Sequence, residues 1–137
     1  MKALFPNAAT TDGVTVRVSV SYLPEQSEPD RGRWFWAYHI RLENEGDESV
    51  QLLTRHWVIT DGRGARHSVE GEGVVGEQPV LAPGERFEYT SGVPLPTASG
   101  FMAGSYQMVT EAGERFEIDV PTFSLDSPSP DGKRVLN

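Results

Sequence analysis

The chain is 137 residues long, with 20 acidic against 12 basic side chains and a net charge of −8, a balance that works against binding a phosphate backbone or an anionic membrane surface. It contains no cysteine, which excludes a disulfide framework, a thiolate metal site and a cysteine nucleophile. A hydrophobic content of 37% supports one core, and 14 glycines and 10 prolines without a low-complexity period point to many tight turns.

Residues 1–13 contain no apolar run that would serve as a signal peptide, and no stretch reaches the roughly 20 apolar residues of a membrane helix. A cytoplasmic location without membrane insertion is expected, with a flexible segment over 1–12. Val14, Val16, Val18, Val20 and Tyr22 then alternate with polar residues as a half-buried strand. A polar loop over 24–32 leads to a second strand. It puts Trp34, Trp36, Tyr38, Ile40 and Leu42 on one face and Phe35, Ala37, His39, Arg41 and Glu43 on the other. Asn44-Glu45-Gly46-Asp47 is turn chemistry.

The next strand, 50–60, breaks its own alternation at Leu52-Leu53. One extra residue near 52–54 reconciles the two halves, so the spacing predicts a bulge there, with Trp57 and Ile59 facing the core. Asp61-Gly62-Arg63-Gly64 turns the chain into a short strand over 65–70. Beyond the β-turn Ala82-Pro83-Gly84-Glu85, Phe87, Tyr89, Ser91 and Val93 alternate inward. Met102, Gly104, Tyr106 and Met108 follow the same rule, as do Phe116, Ile118 and Val120 after the turn at Ala112-Gly113. Pro121 marks an edge strand or a strand end. The predicted organisation is a domain over 13–125 and a disordered tail over 126–137. The pattern gives an all-β, immunoglobulin/fibronectin type III-like antiparallel sandwich of about seven to eight strands. An eight-stranded barrel is the alternative.

Between the short fourth strand and Pro79 lies Gly71-Glu72-Gly73-Val74-Val75-Gly76, a G-x-G-x-x-G spacing. A dinucleotide site needs a strand before such glycines and a helix opening from them, whose N-terminus holds the phosphate. Pro79 and Pro83 leave no room for that helix, and Glu72 and Glu77 repel an anion. The conformational reading is preferred: glycines that permit positive φ in a loop crossing between sheets. The sharper reading is an anion-binding nest of backbone N–H groups flanked by Arg63 and Arg66, with Gln78 as a ligand hydrogen-bonder.

The chain resembles the ApaG domain family of small bacterial β-sandwich proteins. The resemblance runs from about Val14 to Leu125 and is carried by several segments in order. They are Val50-Gln51-Leu52-Leu53-Thr54-Arg55-His56-Trp57, the glycine segment through Gln78-Pro79, Leu81-Ala82-Pro83-Gly84-Glu85-Arg86-Phe87, Tyr89-Thr90-Ser91-Gly92, and Gly100-Phe101-Met102-Ala103-Gly104-Ser105-Tyr106. It implies a fibronectin type III-like fold and a role in Co²⁺ tolerance and Mg²⁺ homeostasis, the family being commonly described as a Co²⁺/Mg²⁺ efflux protein. Similar domains in eukaryotic F-box proteins and in a DNA-polymerase-interacting protein imply protein binding. The family supplies no established catalytic residues. Without a membrane span the chain is not itself a pore, so the implied role is exerted beside a transporter.

The three histidines are His39, His56 and His67. His56 and His67 flank one turn and, with Glu70 or Glu72, offer a weak nitrogen–oxygen metal site. No metal motif spacing supports it, and structural histidines are the preferred reading. Ser68, Thr90 and Ser91 lack a base at any nucleophile-elbow spacing. Phe35, on the outer phase beside the 24–32 loop, is a candidate docking residue, although packing in a crevice is favoured.

The expected function is therefore a non-enzymatic, cofactor-free binding module that engages an unidentified protein partner, and not nucleic acid. A homodimer through an edge strand is a further expectation. The alternative is a small-molecule sensor taking a phosphorylated ligand or a divalent cation at the 71–76 loop. The working-surface residues are Arg55, His56, Arg63, Arg66, Gly71, Gly73, Gly76 and Gln78; the weak metal set is His56, His67 and Glu72.

Overall fold

The computed structural model describes Phe5 and residues 7–128. Side chains alternate across each strand, so a strand with polar residues at every second position is apolar on one face only. Two such sheets bury those faces against each other. Nine strands do this: β1 (Asn7–Thr11), β2 (Val14–Tyr22), β3 (Trp34–Asn44), β4 (Val50–Asp61), β5 (Arg66–Glu72), β6 (Val80–Leu81), β7 (Arg86–Leu95), β8 (Ser99–Thr110) and β9 (Arg115–Asp126). Two single 3-10 turns, Pro24–Gln26 and Pro29–Arg31, shape the loop after β2. The described residues contain no α-helix.

One sheet has the order β1-β2-β3-β7. The other has the order β5-β4-β8-β9, with β6 also on β4. Every ladder is antiparallel, and none joins the two sheets among the described residues. The sandwich thus replaces the barrel alternative. The two strands beyond the seven read from the sequence are β1 and β6, both short. The residues expected to be flexible at 1–12 include β1, which pairs along β2 from Asn7↔Val18 to Thr11↔Val14. Residues 1–4 and 6 lie outside the described residues, as does 129–137 of the expected tail; Asp126 itself ends β9.

The predicted inward sets form the core. Val14, Val16, Val18, Trp36, Ile40 and Leu42 from one sheet meet Leu52, Trp57, Met102, Tyr106, Met108 and Ile118 from the other. Trp57 sits among aromatic edges, with ring centroids at 5.5 Å from Tyr38 and 6.1 Å from both Tyr106 and Phe123. Trp36 is fully buried and its indole N–H donates to the Asp126 carbonyl at 2.9 Å. Phe35 is half-buried, its ring covering Gly92.

The expected bulge is present: the β4–β8 register shifts between Leu52 and Thr54. It re-phases the strand so that Leu52 and Trp57 are both buried. A second shift, between Met102 and Gly104, lies opposite Pro121. β9 passes through that proline as an edge strand and carries Phe123 and Leu125 into the core. Buried Asn44 joins three segments. Its Nδ2 donates to the Glu48 and Leu81 carbonyls at 2.8 and 2.9 Å, and its Oδ1 accepts from Gly46 N–H at 3.0 Å.

Candidate functional site

β5 and β6 are two pieces of one sheet edge. Both run antiparallel to β4, β5 from Thr54↔Glu72 to Thr60↔Arg66 and β6 at Gln51 and Val50. Gly73 N–H donates to the Leu53 carbonyl at 2.9 Å and Leu52 N–H to the Pro79 carbonyl at 3.0 Å, carrying the ladder across the join. Residues 73–79 therefore leave an edge strand and rejoin the same sheet. This corrects the expectation that the glycine segment crosses between sheets. The crossing is made one turn later, at 82–85, where Glu85 N–H donates to the Ala82 carbonyl at 2.9 Å.

The excursion is a miniature hairpin. Val74 and Glu77 exchange backbone hydrogen bonds of 2.8 and 2.9 Å around Val75 and Gly76. The φ values of 43° at Val75 and 81° at Gly76 make it a type I′ turn. Asp12 and Gly13, at 48° and 83°, form the same pair of conformations between β1 and β2. Asp-Gly suits that turn; a β-branched valine does not, because its Cβ branches crowd the backbone at positive φ. Val75 is nonetheless held there with its side chain 55% exposed. Gly73, at φ 66°, admits no side chain, since a Cβ would collide with the Glu77 carbonyl oxygen. No helix begins at these glycines. The Gly73, Val74 and Glu77 amides serve the ladder and the hairpin, which breaks up the run of N–H groups that an anion nest requires.

The bulge in β4 brings Arg55 and Trp57, which share one side of the strand by alternation, into phase with Leu52, and Arg55 stands directly opposite Gly71. Its Nη1 donates to the Gly73 carbonyl at 2.8 Å and to the Glu72 carbonyl at 3.2 Å. Gln78 is also structural: its Nε2 donates to the Leu53 carbonyl at 2.9 Å, and its own carbonyl accepts from Gln51 Nε2 at 3.0 Å. Arg55, Gly71, Gly73, Gly76 and Gln78 thus form one unit.

The other candidates lie apart from it. Arg66 pairs with Thr60, five residues from Gly71 along the strand, about 17 Å at the usual rise. Arg63 sits in the turn beyond, where Asp61 Oδ1 accepts the Arg63 and Ala65 amides at 2.8 and 3.0 Å. Neither flanks the glycines. His56 pairs with Glu70, Nε2 to Oε2 3.9 Å. His67 pairs with Ile59, three positions from His56 along β4, so the two rings project from opposite faces. The weak metal set His56, His67 and Glu72 is not assembled, and no group of three or more potential metal-ligating side chains occurs among the described residues. On the outer face His56, Glu70 and Glu117 border an open, acidic groove of about 480 Å³.

Behind the hairpin, the gap between β5 and β7 opens into a cavity of about 340 Å³. Tyr38, Trp57, Tyr89 and Ser91 line its inner side, Arg55 and Glu72 its floor, and residues 74–76 its lip. The hydroxyls of Tyr89 and Tyr106 lie 2.6 Å apart. Burial pushes both phenols up, opposed by the Arg55 charge. Sequence reasoning placed these aromatics in the core and missed the cavity. The available signal was a cation, Arg55, in phase with the buried Trp57.

The described residues include no helix long and apolar enough to cross a membrane. Residues 24–110 match the family profile of the ApaG domain. The chain is 68% identical to Protein ApaG of Bradyrhizobium diazoefficiens over 94% of its length and 98% of the relative's. It is 63% identical to Protein ApaG of Rhodospirillum centenum over 86% and 91%. A crystal structure described as an ApaA protein of Bordetella pertussis superposes with a TM-score of 0.82 at 50% identity, covering 84% of this chain and 94% of that one. The C-terminal domain of Wzt, at 11% identity and a TM-score of 0.55, covers 96% of this chain and 87% of its own and shares the fold alone.

Proposed function

The chain belongs to the ApaG domain family, and from that premise we propose that it is a non-catalytic, cytoplasmic binding module whose partner is another protein. The effect on Co²⁺ tolerance and Mg²⁺ homeostasis that the family resemblance implies then passes through that partner. One observation carries this reading. The exposed large hydrophobic side chains among the described residues are Val69, Val75, Val80 and Phe101. The three valines follow one another along the β5–hairpin–β6 edge. Val69 stands opposite Trp57 and Val80 opposite Gln51, so they flank the two faces of this unpaired edge with Val75 at the hairpin tip, and an unpaired edge bordered by exposed apolar side chains is a surface that accepts an extended segment of another chain. Arg66, Glu70 and Glu72 on the same strand disfavour pairing with arbitrary partners.

The test uses the full chain with Val75→Asn and Val80→Ser together. These changes keep a residue suited to the turn and remove two of the three exposed valines of the edge. A strain lacking the gene is complemented with either form and grown across Co²⁺ concentrations and under Mg²⁺ limitation. The folded variant should fail to complement. Complementation equal to the unaltered chain would rule out the rim as the working surface, and sedimentation of the purified protein tests whether a second copy occupies it.

A further inference from the structure

The buried tryptophans differ in a way that singles out the cavity behind the hairpin. Trp36 donates its indole N–H to a carbonyl. Trp57, 3% exposed, has no acceptor for its own among the described residues. An indole N–H can only donate, and leaving it unmet inside a protein is destabilising. The Cε3–Cζ3 edge of the Trp57 ring lies against Gly104 of β8. The opposite edge, which carries Nε1, is therefore turned toward the β5 side, where the cavity lies. Tyr38, 6% exposed, and Ser91 also line the cavity, and their hydroxyls likewise have no partner among the described residues. Arg55 bonds the loop carbonyls through Nη1, and its Nε and Nη2 have no hydrogen bond among the described residues. The Tyr89–Tyr106 pair adds one more hydrogen, since two hydroxyls share a single bond. The site is thus a convergence of donors short of acceptors.

We propose that this cavity binds a small organic monocarboxylate, whose two oxygens accept from Arg55, Trp57 and Tyr38 and whose apolar body lies between Tyr89 and the Val75 lip. A carboxylate offers about four lone-pair directions in one plane, matching a guanidinium and flanking donors. A volume of about 340 Å³ holds a metabolite-sized molecule. A single cation, Arg55, favours one negative charge over the two of a phosphate. This site differs from a phosphate cradle of glycine amides: side chains supply the donors, and the hairpin is the lip.

The experiment titrates the full ¹⁵N-labelled chain with benzoate, and separately with inorganic phosphate and sodium chloride at matched ionic strength, following the indole N–H signals. Benzoate should shift the Trp57 signal saturably while Trp36 stays put, and neither phosphate nor chloride should reproduce the shift. Tyr38→Phe retains the ring and its packing and should weaken binding about tenfold. Arg55→Met should weaken it further. Four results overturn the proposal: no saturable shift of Trp57, Trp36 moving in parallel, phosphate binding more tightly than benzoate, or unchanged affinity in Tyr38→Phe.

Discussion

The Arg55 guanidinium lies flat against Gly71, so close that a Cβ there would meet its terminal atoms at 2.9 Å. Gly71 is thus the floor on which the arginine rests while it holds the Gly73 carbonyl. Gly73 is constrained differently, by its own φ of 66° and by the rigid Glu77 backbone. Gly71→Ala should therefore cost about 1 kcal/mol, because a flexible side chain can move aside, whereas Gly73→Ala should cost about 3 kcal/mol. Urea denaturation of the two variants checks the order. Equal costs would mean that the hairpin, and not Arg55, governs both positions.

Val75 carries strain that its neighbours impose. Val75→Asn should stabilise the chain by about 1 kcal/mol, because Asn tolerates the left-handed region. Asp12→Val, at the matching position of the β1–β2 turn, should destabilise by a similar amount. Thermal melts of both variants measure this. If Val75→Asn melts lower than the parent, the valine is packed and not strained.

Asn44 ties the end of β3, the turn after it and β6 through three side-chain hydrogen bonds in a buried setting. Asn44→Ala removes all three of these buried hydrogen bonds and should cost about 3 kcal/mol. Asn44→Asp should do no better, since a carboxylate cannot donate to the Glu48 and Leu81 carbonyls. Calorimetric unfolding of the two variants tests this, and a well-tolerated Asn44→Asp would mean that those two bonds are dispensable.

Glu88 accepts from His39 Nε2 at 2.8 Å and from Arg41 Nε at 2.9 Å. The His39 hydrogen bond, with Arg41 beside it, holds its carboxyl below the ordinary 4.5. A depressed folded value means that the stabilisation is complete above pH 4.5 and is lost as pH falls through the folded value. The melting-temperature gap between the parent and Glu88→Gln should be widest near neutrality and close below that range. A gap that widened on acidification would reverse the assignment. The ion pairs are partly exposed, so added salt should narrow the gap at every pH.

Much of the sandwich was readable because each long strand states its inner face every second residue. Val14 to Tyr22 and Trp34 to Leu42 do so without interruption. Even the bulge was visible, as two adjacent leucines that a single phase cannot accommodate. β1 escaped because Asn7-Ala8-Ala9-Thr10-Thr11 carries no large apolar residue; its strand character comes from pairing with β2. β6 escaped because two residues have no period. The course of the glycine segment was misread because local chemistry specifies a turn but not which sheet receives the chain afterwards; the ladder on Leu52 and Leu53 decides that. The cavity was hidden for a related reason. Tyr38, Trp57 and Tyr89 read individually as core, and the gap beside them exists only where β5 and β7 fail to pair across the two sheets.

The continuity of β5 and β6 has a practical corollary. Since Gly73 and Pro79 are both anchored on adjacent leucines of β4, whatever lies between them hangs from two fixed points of an already folded scaffold. That makes the tip a natural place for grafting. Turns of other lengths can replace exposed Val75 and Gly76 there, and recognition be altered, while buried Val74 and hydrogen-bonded Gln78 keep the sandwich beneath as it was.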